Sequence, residues 1–463
     1  MKEETFSMNK KLMAVAVASA LTAPGLAVAQ VGSSPGITLY GRLDETIMNS
    51  KYSAVSNAAG VTTTNEVKKG DIYSPGNAIG FRGREDLGGG TALWFQLESG
   101  IWPDGRLEAS ATTGAHFGGR NSGLGVSSEL GDIFLGIWDT PYKVAYGAGN
   151  VVNSGGFASS GIIMGNGDAT GALNNALCTN IVSNGTGQVT IANGGGTPAA
   201  NNNVCVTEAT ANNTAFSRRI NNSVQYWSPV FAGLQFKLMT ALANYSSPGN
   251  VSFASGLPKP KEWSASIAWA RGPLSLAAAY DLHQGLRPNT TAGAVTGNAN
   301  PKDKAYQVGA KWNFGIGEVG AGYEKLSYGE NAATGALSTK MDVPAWVVNG
   351  RLNAGPGALW ASYSKTQGGK SCSNQALTIG SAACGVEAKM LTVGYDYIMS
   401  KRTKMYFAYN KIDNGLKVVG AANVGTSYYY IAGPAANVNN GTSGGLVPGT
   451  DVTTIGLGIQ HTF

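Results

Sequence analysis

The chain is poor in charge, histidine and cysteine, and beyond residue 30 it lacks any long apolar run. Only 13% of its 463 residues are Asp, Glu, Lys or Arg, against about 25% in soluble globular proteins. A surface with so few charges does not face water alone. The three histidines, His116, His283 and His461, lie far apart with no acid in a triad-like context, which gives no support to a histidine-based catalytic centre. The formal charge of +6, without a basic cluster, gives no argument for a nucleic-acid partner. No stretch of ~18 apolar residues follows residue 30, so no transmembrane helix is predicted there. The four cysteines fall two to a polar loop. That even, local pattern predicts the disulfides Cys178–Cys205 and Cys372–Cys384 in an oxidising compartment. A metal site is the weaker alternative, since the sequence has no CxxC spacing and no neighbouring histidines. No cofactor or metal is expected.

What is present begins with a processing segment. Lys10 and Lys11 precede LMAVAVASALTAPGLAVA, which ends in Ala27-Val28-Ala29. A basic start, a short apolar run and an A-x-A site predict a secretory signal peptide over 1–29. Its loss removes Lys2, Lys10 and Lys11 against Glu3 and Glu4, taking the charge from +6 to +5.

From Gly36 onward, segments of 8–14 residues alternate apolar and polar, the period-two signature of strands. In ITLYGRLDETIM, Ile37, Leu39 and Leu43 oppose Thr38, Tyr40, Arg42 and Asp44. In LQFKLMTAL, Leu234, Phe236 and Leu238 oppose Gln235, Lys237 and Met239. Sixteen strands are predicted: 37–48, 77–84, 91–102, 118–126, 131–138, 219–227, 232–245, 262–270, 274–282, 304–314, 317–328, 342–352, 357–366, 387–398, 403–412 and 452–462. Tight connections such as EDLGGG and RGP alternate with long ones, notably 49–76, 139–218, 283–303, 367–386 and 413–451. A sandwich or propeller would also alternate. A dry core, however, does not accept Arg42, Asp44, Glu98, Lys237, Lys311, Glu324 and Asp396 without partners. Those residues call for a wet lumen. Tyr40, Trp94, Trp227, Trp263, Trp269, Trp312, Tyr323, Trp360 and Tyr409 lie near strand ends and are expected as interfacial girdles. Hydrocarbon requires every backbone group to be paired, so the sheet must close. The expected fold is an all-β, 16-stranded antiparallel transmembrane barrel over 30–463.

ITLYGRLD, AIGFRGREDLGGGTALWFQLESG, LGIWDTPYK, RRINNSVQYWSP and the closing GLGIQHTF occur in order along nearly the whole mature chain. With these stretches the sequence resembles the Gram-negative general porins of Neisseria and Burkholderia-like bacteria. The resemblance implies a homotrimer among outer-membrane lipids, each protomer passing small hydrophilic solutes and ions. It also implies that Phe463, ending the alternating strand TTIGLGIQHTF, closes the barrel and is read by the outer-membrane assembly machinery.

The connection 139–218 is far longer than the ~15 residues of an ordinary loop, and the resemblance implies that it folds into the lumen as a constriction. For its part after Cys178, a solvated external excursion is the alternative. The wall facing it is expected to carry Arg42, Arg82, Arg120 and Arg219. Alternation supports Arg42, Arg82 and Arg219, whereas Arg120 falls with Leu124 and Val126 and requires a bulge. Asp168 and Asp139 are the carboxylates expected opposite. Ion pairing of the arginines with Asp44 or Glu98 is a structural alternative. Ala78 and Ile137 stand where the family often has Arg, or Arg or Asn, which implies only a mild anion preference. A substrate-specific channel, or an adhesin or enzyme on a barrel scaffold, are the other functional readings. The GxGxxG match over 315–320 joins two strands, and the GxSxG match over 441–445 sits in a Gly/Asn-rich loop. Neither has the strand–turn–helix context its chemistry needs.

Overall fold

The computed structural model describes residues 36–463 except 58–61, 65, 75, 104–117, 153–157, 160–163, 165–180, 185–187, 192–201, 204–215, 242–260, 285–288, 292–293, 296–301, 329–340, 367–387, 415–417 and 420–449. The predicted leader, all four cysteines, His116, Asp168 and the 441–445 motif lie outside the described residues.

One antiparallel sheet runs through the chain in sequence order and closes on itself. Its strands are β1 (Ile37–Tyr52), β2 (Val67–Tyr73 and Ala78–Gly88), β3 (Thr91–Gly100), β4 (Ser122–Ser128), β5 (Gly131–Asp139), β6 (Arg219–Trp227), β7 (Leu234–Ala241) and β8 (Lys261–Arg271). They continue as β9 (Leu274–Gln284), β10 (Lys302–Asn313), β11 (Gly317–Tyr328), β12 (Met341–Ala354), β13 (Gly357–Thr366), β14 (Ala388–Ile398), β15 (Thr403–Asn414) and β16 (Val452–Thr462). The two pieces of β2 pair with successive lengths of β1, Tyr73 opposite Thr46 and Ala78 opposite Arg42. They therefore form one interrupted strand, and the barrel has sixteen. Closure is a ladder from Arg42 opposite Thr462 to Tyr52 opposite Val452. At its end Phe463 and Gly41 exchange two backbone hydrogen bonds of 3.1 Å. The Phe463 ring covers Gly41 so closely that a β-carbon there would sit 2.4 Å from it.

One rim carries the tight turns, such as Gly88–Gly90 with all three residues at positive φ, a backbone that glycine adopts without steric cost. The long connections leave from the other rim. No helix among the described residues is long and apolar enough to cross a membrane; strands do the crossing.

Polarity is inverted relative to a soluble domain. Leu39, Ile47, Leu135, Leu238, Val308, Leu359, Phe407 and Leu457 are exposed on the outside, while Asp44, Gln225, Lys237, Gln307, Glu324, Asn349 and Asp396 are buried within. This is the period-two pattern, with hydrocarbon-compatible side chains outward and polar ones toward the lumen. Leu457, mid-way along β16 and 51% exposed, tests it. Leu457→Arg is expected to cost about 2–4 kcal/mol, the range for a cation on the lipid face near the midplane, read as a shift in denaturant unfolding in phospholipid bilayers.

Several aromatics expected in the girdles point the other way. Trp263, Trp312 and Tyr323 are exposed on the outside. Trp94, Trp227 and Trp360 instead face the lumen: Trp94 and Trp227 pack with Phe134 and Trp138, and Trp360 donates to Asp396 at 2.9 Å. Tyr40 is also inward, its hydroxyl 3.1 Å from Glu98. Alternation within the strand, set by the pleat, outweighs position near its end.

Candidate functional site

After β5 the chain turns into the cylinder. Thr140 caps a short helix, α1 (Pro141–Ala145), by accepting the Lys143 N–H at 3.1 Å. Pro141 follows at the position where its missing N–H leaves no bond unmade. The segment is then fastened to the inner wall. The Tyr142 N–H donates to Ser264 Oγ at 3.0 Å and its hydroxyl to Glu324 at 2.9 Å, while Gln307 Nε2 donates to the Tyr142 carbonyl. Asn349 holds the next stretch twice, donating to Gly149 O at 2.9 Å and accepting from Val151 N at 2.7 Å. Backbone meets backbone here: a β-carbon on Gly309 would lie 2.8 Å from Gly149 N, and one on Gly320 would lie 2.6 Å from Gly149 O. Val151, Val152 and Ala158 then pack on Trp360, Tyr406 and Ala408, and Met164 on the cluster around Ala345 and Val347. The segment thus runs along the luminal wall from β8 to β15. Asn202–Asn203 pair with the β9–β10 connection at Asn289–Thr290, so these two residues lie at the rim of the long connections.

Arginines gather on the wall formed by β1–β4. Arg42 Nη2 donates to the Gly76 carbonyl at 2.8 Å. Gly76 lies in the interruption of β2, a position with no sequence signal for holding Arg42. Asn77 seals that gap, accepting from Asp44 N at 2.6 Å and donating to Glu45 at 2.8 Å, and Ser74 donates to the same Glu45 carboxylate at 2.6 Å. Arg82 lies over the Tyr40 ring, 5.2 Å from its centroid, and has no ion pair among the described residues. Arg120 Nε donates to Glu98 at 2.6 Å, and both Arg120 and Glu98 lie within electrostatic reach of Arg42. The bulge expected for Arg120 is not needed. It precedes β4, its backbone N–H bonded to Glu98 O at 2.9 Å, so strand alternation does not govern it.

Arg219 stands apart from this group. Its Nε donates to Asn121 at 2.7 Å, and its guanidinium lies 3.3 Å from Asp139. The face assigned to it by alternation is corrected. Ile220, expected outward, is fully buried against Met239 and Ala241. The register then shifts between Ile220 and Ser223, with Asn222 at φ 51°, and this bulge changes the face of the residues on either side. Asp139 also differs from expectation. It lies directly opposite Arg219 in the β5–β6 ladder, where it pairs with Lys143 at 2.8 Å and accepts from Asn121 at 2.9 Å. It belongs to the arginine's own wall and does not face it across the lumen. Asn121, which ties Asp139 to Arg219, carried no sequence signal, since its role depends on strands far apart in the chain.

The cluster of Arg42, Arg82 and Arg120 is opposed locally by two carboxylates. Glu98 is paired with Arg120, and Asp44 accepts from Tyr406 at 2.6 Å and Gln460 at 3.1 Å. With Lys404 also within electrostatic reach of Asp44, positive groups outnumber negative ones on this low-dielectric wall, which concentrates its field in the enclosed water. The GxGxxG match is a turn, with Gly315 at φ 90° and β11 starting at Gly317.

Comparison with known proteins agrees with this architecture. Major outer membrane protein P.IB of Neisseria gonorrhoeae is 30% identical over 140 residues, which are 30% of this chain and 37% of that protein. The match thus spans little more than a third of that relative. Outer membrane porin protein 32 of Delftia acidovorans is 24% identical over 463 aligned residues, covering 98% of this chain and all of that one. Among solved structures, an anion-selective porin from Comamonas acidovorans superposes with a TM-score of 0.57 at 18% identity, covering 93% of this chain and 100% of that one. The trimer form of OmpT from Vibrio cholerae gives 0.53 at 14% identity, covering 93% and 100%. The Gram-negative porin model matches residues 14–417, taking in the arginine wall, the inward segment and the strands it rests on, and the chain belongs to that family.

Proposed function

We propose that the protein is a passive channel of the bacterial outer membrane for small hydrophilic solutes and ions, with a mild anion preference set by Arg42, Arg82 and Arg120. One observation carries this reading: a guanidinium cluster lines the inside of a closed cylinder whose outside is apolar, with a chain segment seated on the opposite inner wall. Arginine stays charged at every relevant pH, and a narrowed lumen between low-dielectric walls strengthens its field. Asp44 and Glu98, acting directly on Arg42, offset part of this charge, which supports a weak preference. Solutes move down their own gradient, so no catalytic step is required. Asp168 remains our candidate for the carboxylate opposing the arginines. The similarity to a protein whose structure is a trimer supports a homotrimer, and the Phe463-terminated strand supports recognition by the assembly machinery.

Planar-bilayer recording in asymmetric KCl tests the charge assignment. The combined Arg42→Gln, Arg82→Gln, Arg120→Gln variant is expected to move the reversal potential toward cations, changing the permeability ratio by roughly a few-fold. Arg219→Gln is expected to move it less, because Asp139 already neutralises that arginine. A triple variant with the reversal potential of the parent would remove these residues from the selectivity argument. A saturable current blocked by one sugar or organic acid would instead indicate a substrate-specific channel.

A further inference from the structure

On the inner wall, near the rim of the long connections, β8 and β9 assemble a cluster that solute passage does not use. Glu262 and His283 are directly opposite in the β8–β9 ladder, and Asp281 lies two residues along β9 on the same face. All three are buried, at 1%, 1% and 0% exposure. A donor atom from each lies within 4.8 Å of the other two. His283 Nε2 is 3.2 Å from Asp281 Oδ1 and 3.7 Å from Glu262 Oε2. Phe216 stacks on the His283 ring with centroids 4.3 Å apart, and Arg218 Nη2 donates to Glu262 Oε2. One buried carboxylate oxygen, Glu262 Oε1, meets no hydrogen-bond donor among the described residues, whereas Asp281 has the Ser264 hydroxyl directly opposite it in the ladder.

Among the described residues two carboxylates stand against Arg218, and Asp303, buried and directly opposite His283 in the β9–β10 ladder, adds further negative charge. A buried carboxylate without a compensating partner is strongly unfavourable. A proton on His283 would reach one oxygen of Asp281 and leave Glu262 Oε1 without a donor. A cation at the centre satisfies all three residues at once. The spacing fits, because ligands about 2.0–2.2 Å from a tetrahedral zinc lie roughly 3.3–3.6 Å apart. Mixed imidazole and carboxylate donors suit a first-row divalent ion rather than Ca²⁺ or Mg²⁺, which take oxygen ligands. We propose that Glu262, Asp281 and His283 bind one first-row divalent cation such as Zn²⁺ per protomer, with Arg218 orienting Glu262 from behind, as outer-shell partners of metal ligands do. The ion would join β8 and β9 to the returning end of the inward segment, a fastening separate from the Gly149 seat. The sequence predicts no metal site because these residues are brought together only by strand register.

Zinc titration of the EDTA-stripped, detergent-purified full-length protein by calorimetry tests the assignment. One saturable site per protomer is expected, weakened at least tenfold in each of Glu262→Gln, Asp281→Asn and His283→Asn. No saturable site in the parent, or near-parental binding in all three variants, overturns it; the second result would mean an adventitious surface ion. If a variant loses its heat-modifiable mobility and so is not folded, a zinc-edge anomalous map of parent crystals decides. A peak among Glu262, Asp281 and His283 upholds the site, and its absence there overturns it.

Discussion

A Gly309→Val channel will lose its single open level and switch among several. Gly309 packs on the backbone of Gly149, and a β-carbon would lie 2.8 Å from Gly149 N and 3.4 Å from the Ala148 carbonyl carbon. These are main-chain atoms, and no side chain can swing away to make room. Overpacking a seat of this kind costs about 1–3 kcal/mol. Displacing the segment also strains the two Asn349 hydrogen bonds to Gly149 and Val151, each worth about 0.5–1.5 kcal/mol net. Together these terms exceed thermal energy several-fold, so the seated arrangement stops being the dominant one while the barrel ladders stay intact. Single-channel recordings read the outcome. Gly350→Ala is the control, since a β-carbon there meets nothing closer than 3.8 Å. If Gly309→Val gave the parent's single level with parental noise, the segment would not depend on this seat.

The second large effect is expected at Asp396. Its carboxylate, 0% exposed, accepts from Trp360 Nε1 at 2.9 Å and Arg351 Nη1 at 2.8 Å, and Lys404 Nζ lies 3.4 Å away. Asp396→Ala leaves two cations and an indole N–H facing the space it filled. Removing one partner of a buried charge pair costs about 3–5 kcal/mol. Arg351 and Lys404 keep 22% and 15% of their side-chain surface, so luminal water offsets part of that, and about 3 kcal/mol is expected. Asp396→Asn keeps an acceptor for Trp360 and should lose less. Urea unfolding in lipid bilayers orders the three proteins; equal stability of the Ala and Asn variants would show that charge contributes little here.

Much of this molecule was legible because lipid outside and water inside impose a period-two code on each strand. All sixteen predicted strands are present, most within two residues at each end. The clearest omission is Val67–Tyr73, the outer piece of β2. VKKGDIY presents Lys68, Lys69 and Asp71 in place of an apolar row and so reads as loop. The inward tryptophans show a limit of another kind. Trp94 shares a face with Gln96 by alternation, and nearness to a strand end was the weaker guide. At the site, Arg42 and Arg82 follow their strands, whereas Arg120 and Arg219 depend on irregular backbone, one before a strand and one beside a bulge. Asp139 could not be placed, because its pairing with Arg219 depends on where the chain returns after some eighty residues. Register also hides Glu262, Asp281 and His283: two strands must lie side by side before three scattered residues share a point.

The hydrogen bonds between Gly41 and Phe463 join the first strand of the barrel to the end of the last. No partly synthesised chain can make them, and every shorter fragment presents two open sheet edges that invite association with other chains. The nascent polypeptide must therefore be kept from aggregating until β16 has been made and exported. Folding of this kind, completed by pairing between the first and last strands, is intrinsically slow, and loss of a few residues at the end of β16 would be felt first in yield and only afterwards in conductance.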